Sequence, residues 1–388
     1  MLKNDKTVYR CIAKTLMGLE APLMKELEDL GYKNVLMKKR AVEFDADLVG
    51  IYRANLELRT ALSVLVNLRT LIFRDEKDIY YGAFKINWEE IFDVKKTFMI
   101  QATVYGDAFN NTNYPALVLK DGIVDRFRKK KQIRPSIDKE RPDIVIDLYI
   151  TDNKCTISIN TSGQPLFKRG YRGMSFEAPL NECLAAGMIL LSGWDKKENF
   201  INPMCGSGTL LVEAALMAYN IQPGALREEY AFMNWLGFDK EAFESLRRPL
   251  EDSISIKAPC RLIGSDISRR ALSITSFSLD RYKLLQKAEL EKMDLNKAKN
   301  TSEKGMVILN PPYGERILMP DLDKTYEEIG DALKTHYQNH KAWIISSNIE
   351  ALKHVGLKSS LKIDLMNGKL PCKFIGYELY GGSRRTEA

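Results

Sequence analysis

The sequence holds few residues that could cross-link a fold or bind a metal. Its 388 residues include six cysteines, no two of which form a C-x-x-C pair, and only three histidines. Zinc ribbons and disulfide scaffolds depend on paired or closely spaced cysteines, so neither class of protein is indicated. We therefore expect reduced, mostly buried thiols and no metal site.

Long apolar runs are also missing. No stretch is apolar over the length needed to cross a bilayer, and the first 15 residues contain no apolar signal core. The contents of hydrophobic residues (45%) and charged residues (28%) are those of an ordinary globular protein, and the length fits two or three domains. These features predict a soluble cytoplasmic protein with no membrane partner.

Positive charge is in moderate excess, at +7, but it is concentrated in two places. One basic run lies within residues 125–135, and a second, with Phe and Tyr interleaved, lies within residues 167–173. A single run is often a solvated helix face, whereas two runs with aromatic residues among them favour a polyanionic partner. The candidate phosphate-binding residues are Arg126, Arg128, Lys129, Lys130, Lys131, Lys168, Arg169 and Arg172.

The first part of the chain alternates short strand and helix patterns. Periodicity predicts a strand, a helix and a hairpin over residues 7–46, and a long Leu- and Arg-rich helix over residues 48–71. A strand at residues 96–109, a helix at residues 114–131 and a β-hairpin at residues 143–163 follow. This is the pattern of small α+β units.

The second half of the chain is organised differently. Residues 162–180 contain glycines and prolines without a clear period, so we interpret them as a linker. From residue 181 onward strand and helix patterns alternate regularly, and the chain ends in two further strand-like runs. Such alternation predicts a doubly wound α/β domain.

A glycine-rich turn lies near the start of this α/β region, in INPMCGSGTLLVEAAL at residues 201–216. Gly206 and Gly208 permit a tight turn after a strand and a close approach of a ligand to a helix N-terminus. The motif is neither G-x-G-x-x-G nor a P-loop with its lysine, so nicotinamide and ATP both fit poorly. By itself, G-x-G is equally consistent with a simple strand-to-helix turn.

Two acidic residues follow the glycine turn at predicted strand ends. Asp266 ends the second strand of the α/β region, where a ribose hydroxyl pair would be held. Asp294 follows a later strand, where a carboxylate or its neighbour could meet an adenine amino group. Either residue alone is more simply a helix N-cap. Their order after the glycine turn shifts the balance toward ligand binding.

The segment ILNPPYGER at residues 308–316 ends an apolar strand in Asn-Pro-Pro-Tyr. Two prolines restrict the backbone, so the Asn310 side chain and the Pro311 carbonyl are preorganised as acceptors, while Tyr313 offers a ring for stacking. This combination suits a planar amino group. Accepting both of its hydrogens frees the nitrogen lone pair to attack an electrophilic methyl group, without a strong general base.

In this order, NPMCGSGT, GSDIS, Asp294 and NPPYGER resemble the motifs of class I S-adenosylmethionine-dependent amino-methyltransferases. The rest of the chain, including SGQPLFKRGYR and NGKLPCKFIGYELY, resembles THUMP-containing RNA methyltransferases of the RlmL type, which methylate guanine N2 in 23S ribosomal RNA. The resemblance implies a ferredoxin-like α+β segment at residues 1–47, a THUMP RNA-binding domain at residues 48–161, the linker at residues 162–180 and a Rossmann-like methyltransferase domain at residues 181–388.

The resemblance also implies roles for individual residues around an S-adenosylmethionine cofactor. The cofactor-binding set is Asn181, Glu182, Asn202, Pro203, Cys205, Gly206, Ser207, Gly208, Asp266, Ile267 and Asp294, and the residues that hold the target base are Asn310, Pro311, Pro312 and Tyr313. One departure is visible, because many relatives begin the glycine motif with an acid where this chain has Asn202. Asparagine accepts a hydrogen bond without a negative charge, so its contact with the cofactor ammonium would be weaker.

The leading hypothesis is an RNA methyltransferase acting on guanine N2 of 23S ribosomal RNA. Asn-Pro-Pro-Tyr serves adenine, cytosine, guanine and glutamine amides alike, so a tRNA guanine-N2 enzyme and an adenine-N6 nucleic-acid methyltransferase stay open. A non-catalytic RNA-binding factor for ribosome assembly is the alternative from another class. The sequence leaves the modified nucleotide and the oligomeric state undetermined.

Overall fold

A computed structural model describes residues 7–106, 109, 111, 113–173, 179–255, 260–298, 304–312 and 321–380. In chain order its strands and longer helices are β1 Tyr9–Thr15, α1 Glu20–Asp29, β2 Lys33–Lys38, β3 Ala41–Ala46, α2 Leu48–Glu57, β4 Ala61–Ile72, α3 Glu76–Phe84, β5 Phe98–Tyr105, α4 Tyr114–Lys131, β6 Ile144–Thr151, β7 Lys154–Asn160, α5 Glu182–Leu191, β8 Asn199–Pro203, α6 Thr209–Ala218, α7 Lys240–Leu246, α8 Leu250–Ile254, β9 Leu262–Asp266, α9 Arg269–Asp280, β10 Glu289–Lys292, β11 Gly305–Leu309, α10 Leu322–His336, β12 Lys341–Ser346, α11 Ile349–Lys353, β13 Ser359–Asn367 and β14 Leu370–Glu378.

The chain forms two compact units. The N-terminal unit comprises Met1–Thr15, Leu23–Lys168 and Arg227–Arg247, and the C-terminal unit comprises Leu16–Pro22, Arg169–Leu226 and Arg248–Ala388. Two segments lie in a different unit from their neighbours in sequence, the short Leu16–Pro22 and the longer Arg227–Arg247, which interrupts the α/β region in sequence but belongs to the N-terminal unit. Phe232 and Phe243 of this segment pack around the ring of Tyr52, and apolar contacts of that kind leave no periodic signal in the sequence.

The N-terminal unit is built on a seven-stranded sheet with the order β2-β3-β1-β4-β7-β6-β5. Strands β5 and β6 pair in parallel because helix α4 connects them, whereas β6 and β7 form an antiparallel hairpin. Helix α4 has the bounds that the sequence predicted. Its apolar side chains Leu119, Ile123 and Phe127 are buried, while its last four residues are basic.

The predicted long helix at residues 48–71 is wrong. Helix α2 ends at Glu57, and the second half of the segment is strand β4, which hydrogen-bonds to β1 on one side and to β7 on the other. Val64 and Val66 are buried in this central strand. Two neighbouring ladders and the burial of β-branched side chains outweigh the helical propensity of Leu and Arg, and a sequence pattern does not report neighbours that are distant in the chain.

The C-terminal unit contains a second seven-stranded sheet with the order β10-β9-β8-β11-β12-β14-β13. The first five strands pair in parallel, and β14 is antiparallel both to β12 and to β13. The strand order reverses between β8 and β11, and ligands of open α/β sheets bind at the carboxyl ends of the strands at such a switch point. The predicted doubly wound, Rossmann-like fold is confirmed.

The cysteines behave as the sequence predicted. All six are free thiols, and all except Cys260 are buried. Within the ranges that the structure describes, no three Asp, Glu, His or Cys side chains come together as a metal site would require. None of the described helices has both the length and the apolar character that a membrane crossing needs.

Candidate active site

The glycine turn connects β8 to α6 at the switch point. Gly206 (φ +56°) and Gly208 (φ +73°) are both in the left-handed region, and Gly208 caps the N-terminus of α6. The Thr275 hydroxyl on α9 donates to the Gly206 carbonyl oxygen at 3.1 Å. The two glycines are thus required by backbone conformation, and a side chain from a neighbouring helix holds the turn in place.

Replacing each glycine by alanine should give two different results. A Cβ at Gly208 would lie 2.5 Å from the Thr275 side chain, so Gly208→Ala is expected to lower the free energy of unfolding by about 2 kcal/mol. A Cβ at Gly206 would meet nothing within 4 Å, so Gly206→Ala should cost only about 1 kcal/mol but should weaken S-adenosylhomocysteine binding at least tenfold. Unfolding in guanidinium chloride measures the free energy of unfolding, and calorimetry measures the affinity for S-adenosylhomocysteine. If both variants lose the same stability and Gly206→Ala binds S-adenosylhomocysteine normally, the different roles assigned to the two glycines are incorrect.

Cys205 and Ser207 complete the turn. The Cys205 N–H donates to the Ser265 carbonyl at 2.9 Å, and burial raises the pKa of the Cys205 thiol to about 12. The Ser207 hydroxyl lies 3.3 Å from the Thr209 hydroxyl. Because the thiol stays protonated at neutral pH, Cys205 contributes shape and backbone geometry rather than a nucleophile.

Asp266 ends β9 beside the glycine turn. Its Oδ2 accepts from the Gly206 N–H and its Oδ1 accepts from the Ser268 N–H, each at 2.9 Å. These two bonds orient the carboxylate and leave further lone pairs for hydroxyl donors. The next residue, Ile267, is an apolar side chain with 68% of its surface exposed. An oriented carboxylate beside an exposed aliphatic side chain fits a ribose and the base attached to it.

Asp294 lies at the end of the neighbouring strand. The Met293 N–H donates to the Asp266 carbonyl at 3.1 Å, which places the two strand ends side by side. The Asp294 carboxylate also caps a short 3-10 turn by accepting from the Asn296 N–H at 3.0 Å. Asp294 therefore has the capping role that the sequence analysis gave as the alternative to ligand binding. Its second carboxylate oxygen has no hydrogen bond in the described part of the chain.

The proline turn follows β11, the strand next to β8. Pro311 is buried, and the Tyr326 hydroxyl lies 3.5 Å from the Pro312 carbonyl and 2.7 Å from the Ser346 hydroxyl. Burial raises the pKa of Tyr326 to about 12, so its hydroxyl keeps its proton. Tyr313 lies outside the described residues.

Two amide oxygens near the carboxyl ends of β8 and β11 are buried. In the described part of the chain, neither Asn202 Oδ1 nor Asn310 Oδ1 has a hydrogen-bond partner. The Asn202 amide nitrogen donates to the Ile308 carbonyl at 2.8 Å, which fixes the orientation of that amide and leaves its oxygen as the acceptor. Pro203, the next residue of β8, is buried and pairs with Ser265 of β9. A buried acceptor without a donor is costly, so a ligand that supplies N–H groups would relieve both residues.

Asn181 and Glu182 begin helix α5. The Asn181 side chain accepts from the N–H groups of Cys183 and Leu184 and so caps the helix. Glu182 is buried and forms an ion pair with Arg172 at 2.5 Å. Burial raises the pKa of Glu182 despite this partner. Both residues therefore have a structural role, and any contact with a cofactor would be additional.

The structure places Arg169 and Arg172, two of the residues predicted to bind RNA, in ion pairs within the C-terminal unit. Arg169 is only 2% exposed and pairs with the fully buried Glu213 at 3.3 Å. Arg172 pairs with Glu182 and also donates to the Leu180 carbonyl. Both guanidinium groups pair with carboxylates within the C-terminal unit, and burial in addition removes Arg169 from the surface that a phosphate could reach. Pairing of this kind depends on tertiary contacts, and a charge run in the sequence does not reveal it.

Arg126, also predicted to bind RNA, is held in an ion pair as well. Its guanidinium makes a two-pronged ion pair with Glu89, and the side chain is 13% exposed. The remaining predicted residues are exposed: Arg128, Lys129, Lys130, Lys131 and Lys168. Four of these five form a continuous basic stretch at the end of α4, and Lys168 lies elsewhere in the chain.

Sequence reasoning missed the residues that hold the site in place. Thr275 fixes the glycine turn, and Tyr326 with Ser346 lies against the proline turn. These residues belong to α9, α10 and β12, far from the motifs along the chain, and hydroxyl side chains in helices are too common to attract notice. A capping signal was available for Ser268, whose hydroxyl accepts from the Ala271 N–H at the start of α9.

S-adenosylmethionine fits the residues that are present. Its ammonium could donate to Asn202 Oδ1, its ribose hydroxyls could donate to Asp266, and its adenine could lie against Ile267. The open space at Gly206 leaves the backbone of the turn accessible to the methionine part. The donor-rich cofactor therefore complements a set of acceptors.

The fold and the site together define a class I methyltransferase domain. A family model described as the RMKL-like methyltransferase domain matches residues 169–375, a THUMP domain model matches residues 73–160, and an RlmL ferredoxin-like domain model matches residues 10–65. The chain belongs to this RMKL-like methyltransferase family, as its sequence motifs predicted.

Individual relatives agree with this assignment. The chain is 35% identical over 371 residues, covering 95% of this chain and 96% of the relative, to slr0064 of Synechocystis sp., which is provisionally named an RNA methyltransferase. It is also 35% identical over 385 residues to the ribosomal RNA large subunit methyltransferase K/L of Shewanella amazonensis, covering 98% of this chain but 54% of that protein. This chain thus spans about half the length of the K/L relative.

A solved structure is similar over the whole chain. The crystal structure of SMU.472, provisionally a methyltransferase and complexed with SAH, superposes with a TM-score of 0.85 at 27% sequence identity, covering 98% of this chain and 100% of that one. The predicted arrangement of a ferredoxin-like segment, a THUMP domain and a methyltransferase domain is confirmed by these likenesses.

Proposed function

We propose that the protein transfers a methyl group from S-adenosylmethionine to N2 of a guanine in 23S ribosomal RNA, in the cytoplasm. The observation that carries the proposal is the buried Asn310 Oδ1, which has no donor among the described residues and follows β11 at the switch point. The relatives named K/L act on large-subunit ribosomal RNA, and the THUMP match supports an RNA substrate.

The proposed chemistry uses neutral acceptors rather than a strong base. Asn310 Oδ1 and the Pro311 carbonyl accept the two hydrogens of the exocyclic amine, and this draws the nitrogen lone pair out of conjugation with the ring. S-adenosylmethionine supplies an electrophilic methyl group when it is bound. The nitrogen forms a bond to the methyl carbon, the carbon–sulfur bond breaks with its electron pair remaining on sulfur, and the nitrogen then loses a proton to solvent.

The remaining predicted site residues have proposed roles around this step. Cys205, Gly206, Ser207 and Gly208 would line the methionine part, Asp266 would hold the ribose, and Ile267 and Asp294 would contact the adenine. Pro312 and Tyr313 would complete the pocket for the base, which would have to be flipped out or taken from a loop.

Transfer of a tritiated methyl group to RNA from cells that lack the protein tests the proposal. We expect incorporation into 23S ribosomal RNA, with N2-methylguanosine as the labelled nucleoside. Label in tRNA would indicate a tRNA guanine-N2 methyltransferase instead. Label recovered as N6-methyladenosine would indicate an adenine-N6 methyltransferase. No incorporation into any RNA, with the cofactor supplied, would favour a non-catalytic assembly factor.

The basic end of α4 is expected to contribute to RNA affinity. Changing Lys129, Lys130 and Lys131 together to Gln should weaken RNA binding and lower the slope of log affinity against log salt by about 0.7 for each lost phosphate contact. Filter binding across a salt series measures the slope.

A charge-matched control lies in the same unit. Lys25, Lys33 and Lys38 are exposed on α1 and β2, and their change to Gln removes the same charge elsewhere. If both triple variants lower the slope equally, the contribution of α4 is a general effect of net charge and the assignment of a phosphate-binding stretch there is incorrect.

A further inference from the structure

The ladder between β8 and β11 ends before the strands do. The last paired residues are Ile201 of β8 and Val307 of β11, whereas β8 continues to pair with β9 through Pro203. Backbone pairing between β8 and β11 therefore stops before residue 202, near the carboxyl ends of the two strands. Beyond this point the Asn202 amide nitrogen donates to the Ile308 carbonyl at 2.8 Å.

The contact lies two residues before the proline turn. Ile308 precedes Leu309 and Asn310, and Pro311 and Pro312 have no backbone N–H with which the turn could be anchored. The backbone ladder no longer ties β11 to β8 at this point, so a side chain takes over that role. Asn202 is 1% exposed, so water does not compete for the bond.

The other end of the same amide is the unpaired acceptor. Because the nitrogen donates to Ile308, Asn202 Oδ1 is fixed as the acceptor, buried and without a donor in the part of the chain that the structure describes. A carboxylate at this position could accept from an ammonium, but it has no N–H to donate to the Ile308 carbonyl. Asparagine does both.

We propose that Asn202 is a positioning residue that joins the cofactor pocket to the catalytic turn, donating to the Ile308 carbonyl and accepting from the ammonium of the bound cofactor. The proposal rests on the proposed methyltransferase function. It explains why the glycine motif can begin with a neutral residue. Compared with a carboxylate, the Asn202 amide lacks the negative charge but can donate a hydrogen bond that positions Asn310. Cofactor binding at Oδ1 holds the amide in place, and this in turn supports the turn that receives the target amine.

Binding of two probes separates the acceptor role from general damage to the pocket. S-adenosylhomocysteine carries the ammonium, and 5′-methylthioadenosine has the same nucleoside without it. For Asn202→Ala, calorimetry should show S-adenosylhomocysteine affinity falling about tenfold relative to that of 5′-methylthioadenosine. For Asn202→Asp the ratio of S-adenosylhomocysteine affinity to 5′-methylthioadenosine affinity should stay the same or rise. An unchanged ratio in Asn202→Ala would overturn the acceptor role.

Hydrogen exchange tests the donor role. In both Asn202→Ala and Asn202→Asp, amide exchange in the peptide covering residues 304–312 should accelerate about tenfold or more, while exchange in the β12 peptide at residues 341–346 should stay unchanged. Equal acceleration in both peptides, or in neither, would overturn the positioning role. Ile201→Val, one residue earlier on β8, should leave both the affinity ratio and the exchange of residues 304–312 unchanged.

The outcomes distinguish this inference from the function on which it rests. If the unaltered protein binds neither probe, the proposed cofactor is wrong. If it binds S-adenosylhomocysteine and the Asn202 variants match it in affinity ratio and exchange, only the role of Asn202 is wrong. Should Asn202→Ala fail to fold, the isosteric Asn202→Asp carries the exchange test, and Asn202→Ser carries the binding test.

Discussion

Asn310→Ala is expected to lower kcat for methyl transfer about 10²–10³-fold, the range found when one preorganised polar group is removed from a reaction centre. The Asn310 amide oxygen is buried and has no donor among the described residues, so the variant breaks no hydrogen bond of that oxygen within the part of the chain that the structure describes. The loss should therefore appear in the chemical step and not in stability or cofactor affinity.

Single-turnover methylation with saturating cofactor and RNA measures the effect, and calorimetry with S-adenosylhomocysteine should give an affinity within twofold of the unaltered protein. Asn348→Ala is the matched control. Asn348 follows β12, the neighbouring parallel strand, and its side chain caps α11 by accepting from the Ala351 N–H. That variant should lose about 1 kcal/mol of stability and keep its rate. A full rate in Asn310→Ala would remove the basis of the proposed chemistry.

Arg169→Met should destabilise the C-terminal unit by about 3–5 kcal/mol, because it leaves a buried carboxylate without its cation. Glu213 on α6 is fully buried, and one of its oxygens is 3.3 Å from the Arg169 guanidinium. The other oxygen, Oε2, has no hydrogen-bond partner in the ranges described, so the ion pair is its main compensation. Removing the guanidinium forces the carboxylate either to take up a proton or to draw water into the core.

Unfolding of the full chain in guanidinium chloride measures this loss in the free energy of unfolding. The double variant Arg169→Met with Glu213→Leu should recover most of the stability, since replacing both partners by apolar side chains is often nearly neutral. Lys353→Met breaks an ion pair with Glu350 in which both side chains are well exposed, and it should change the free energy of unfolding by less than about 1 kcal/mol. If Arg169→Met is as mild as Lys353→Met, the buried pair is not a significant source of stability.

The motif segments of the active site were readable from the sequence because their requirements are local. A turn with two residues at positive φ needs glycine, so the G-x-G at Gly206 and Gly208 marked its own conformation. Two consecutive prolines after an apolar run marked a rigid turn at a strand end, and Asp266 followed its strand directly. The alternation of strand and helix fixed the fold class, because each pattern depends on burial within a few residues along the chain.

The failures share the opposite property. The helix predicted at residues 48–71 is half strand because β4 lies between β1 and β7, and neither neighbour is adjacent to it in the sequence. Segment Arg227–Arg247 belongs to the N-terminal unit through its aromatic contacts with Tyr52, although it lies within the catalytic region of the chain.

The sequence by itself determined the fold class, the family and the position of each motif, since these follow from local periodicity and backbone conformation. Only the tertiary structure decided which charges are accessible and which are neutralised: Arg126, Arg169 and Arg172 face carboxylates, while Lys129 to Lys131 face solvent. It also decided what holds the two motifs together, through Asn202 and Ile308. The physical reason is that ion pairing and cross-strand hydrogen bonding depend on distances of a few ångströms between residues that the chain separates by tens of positions.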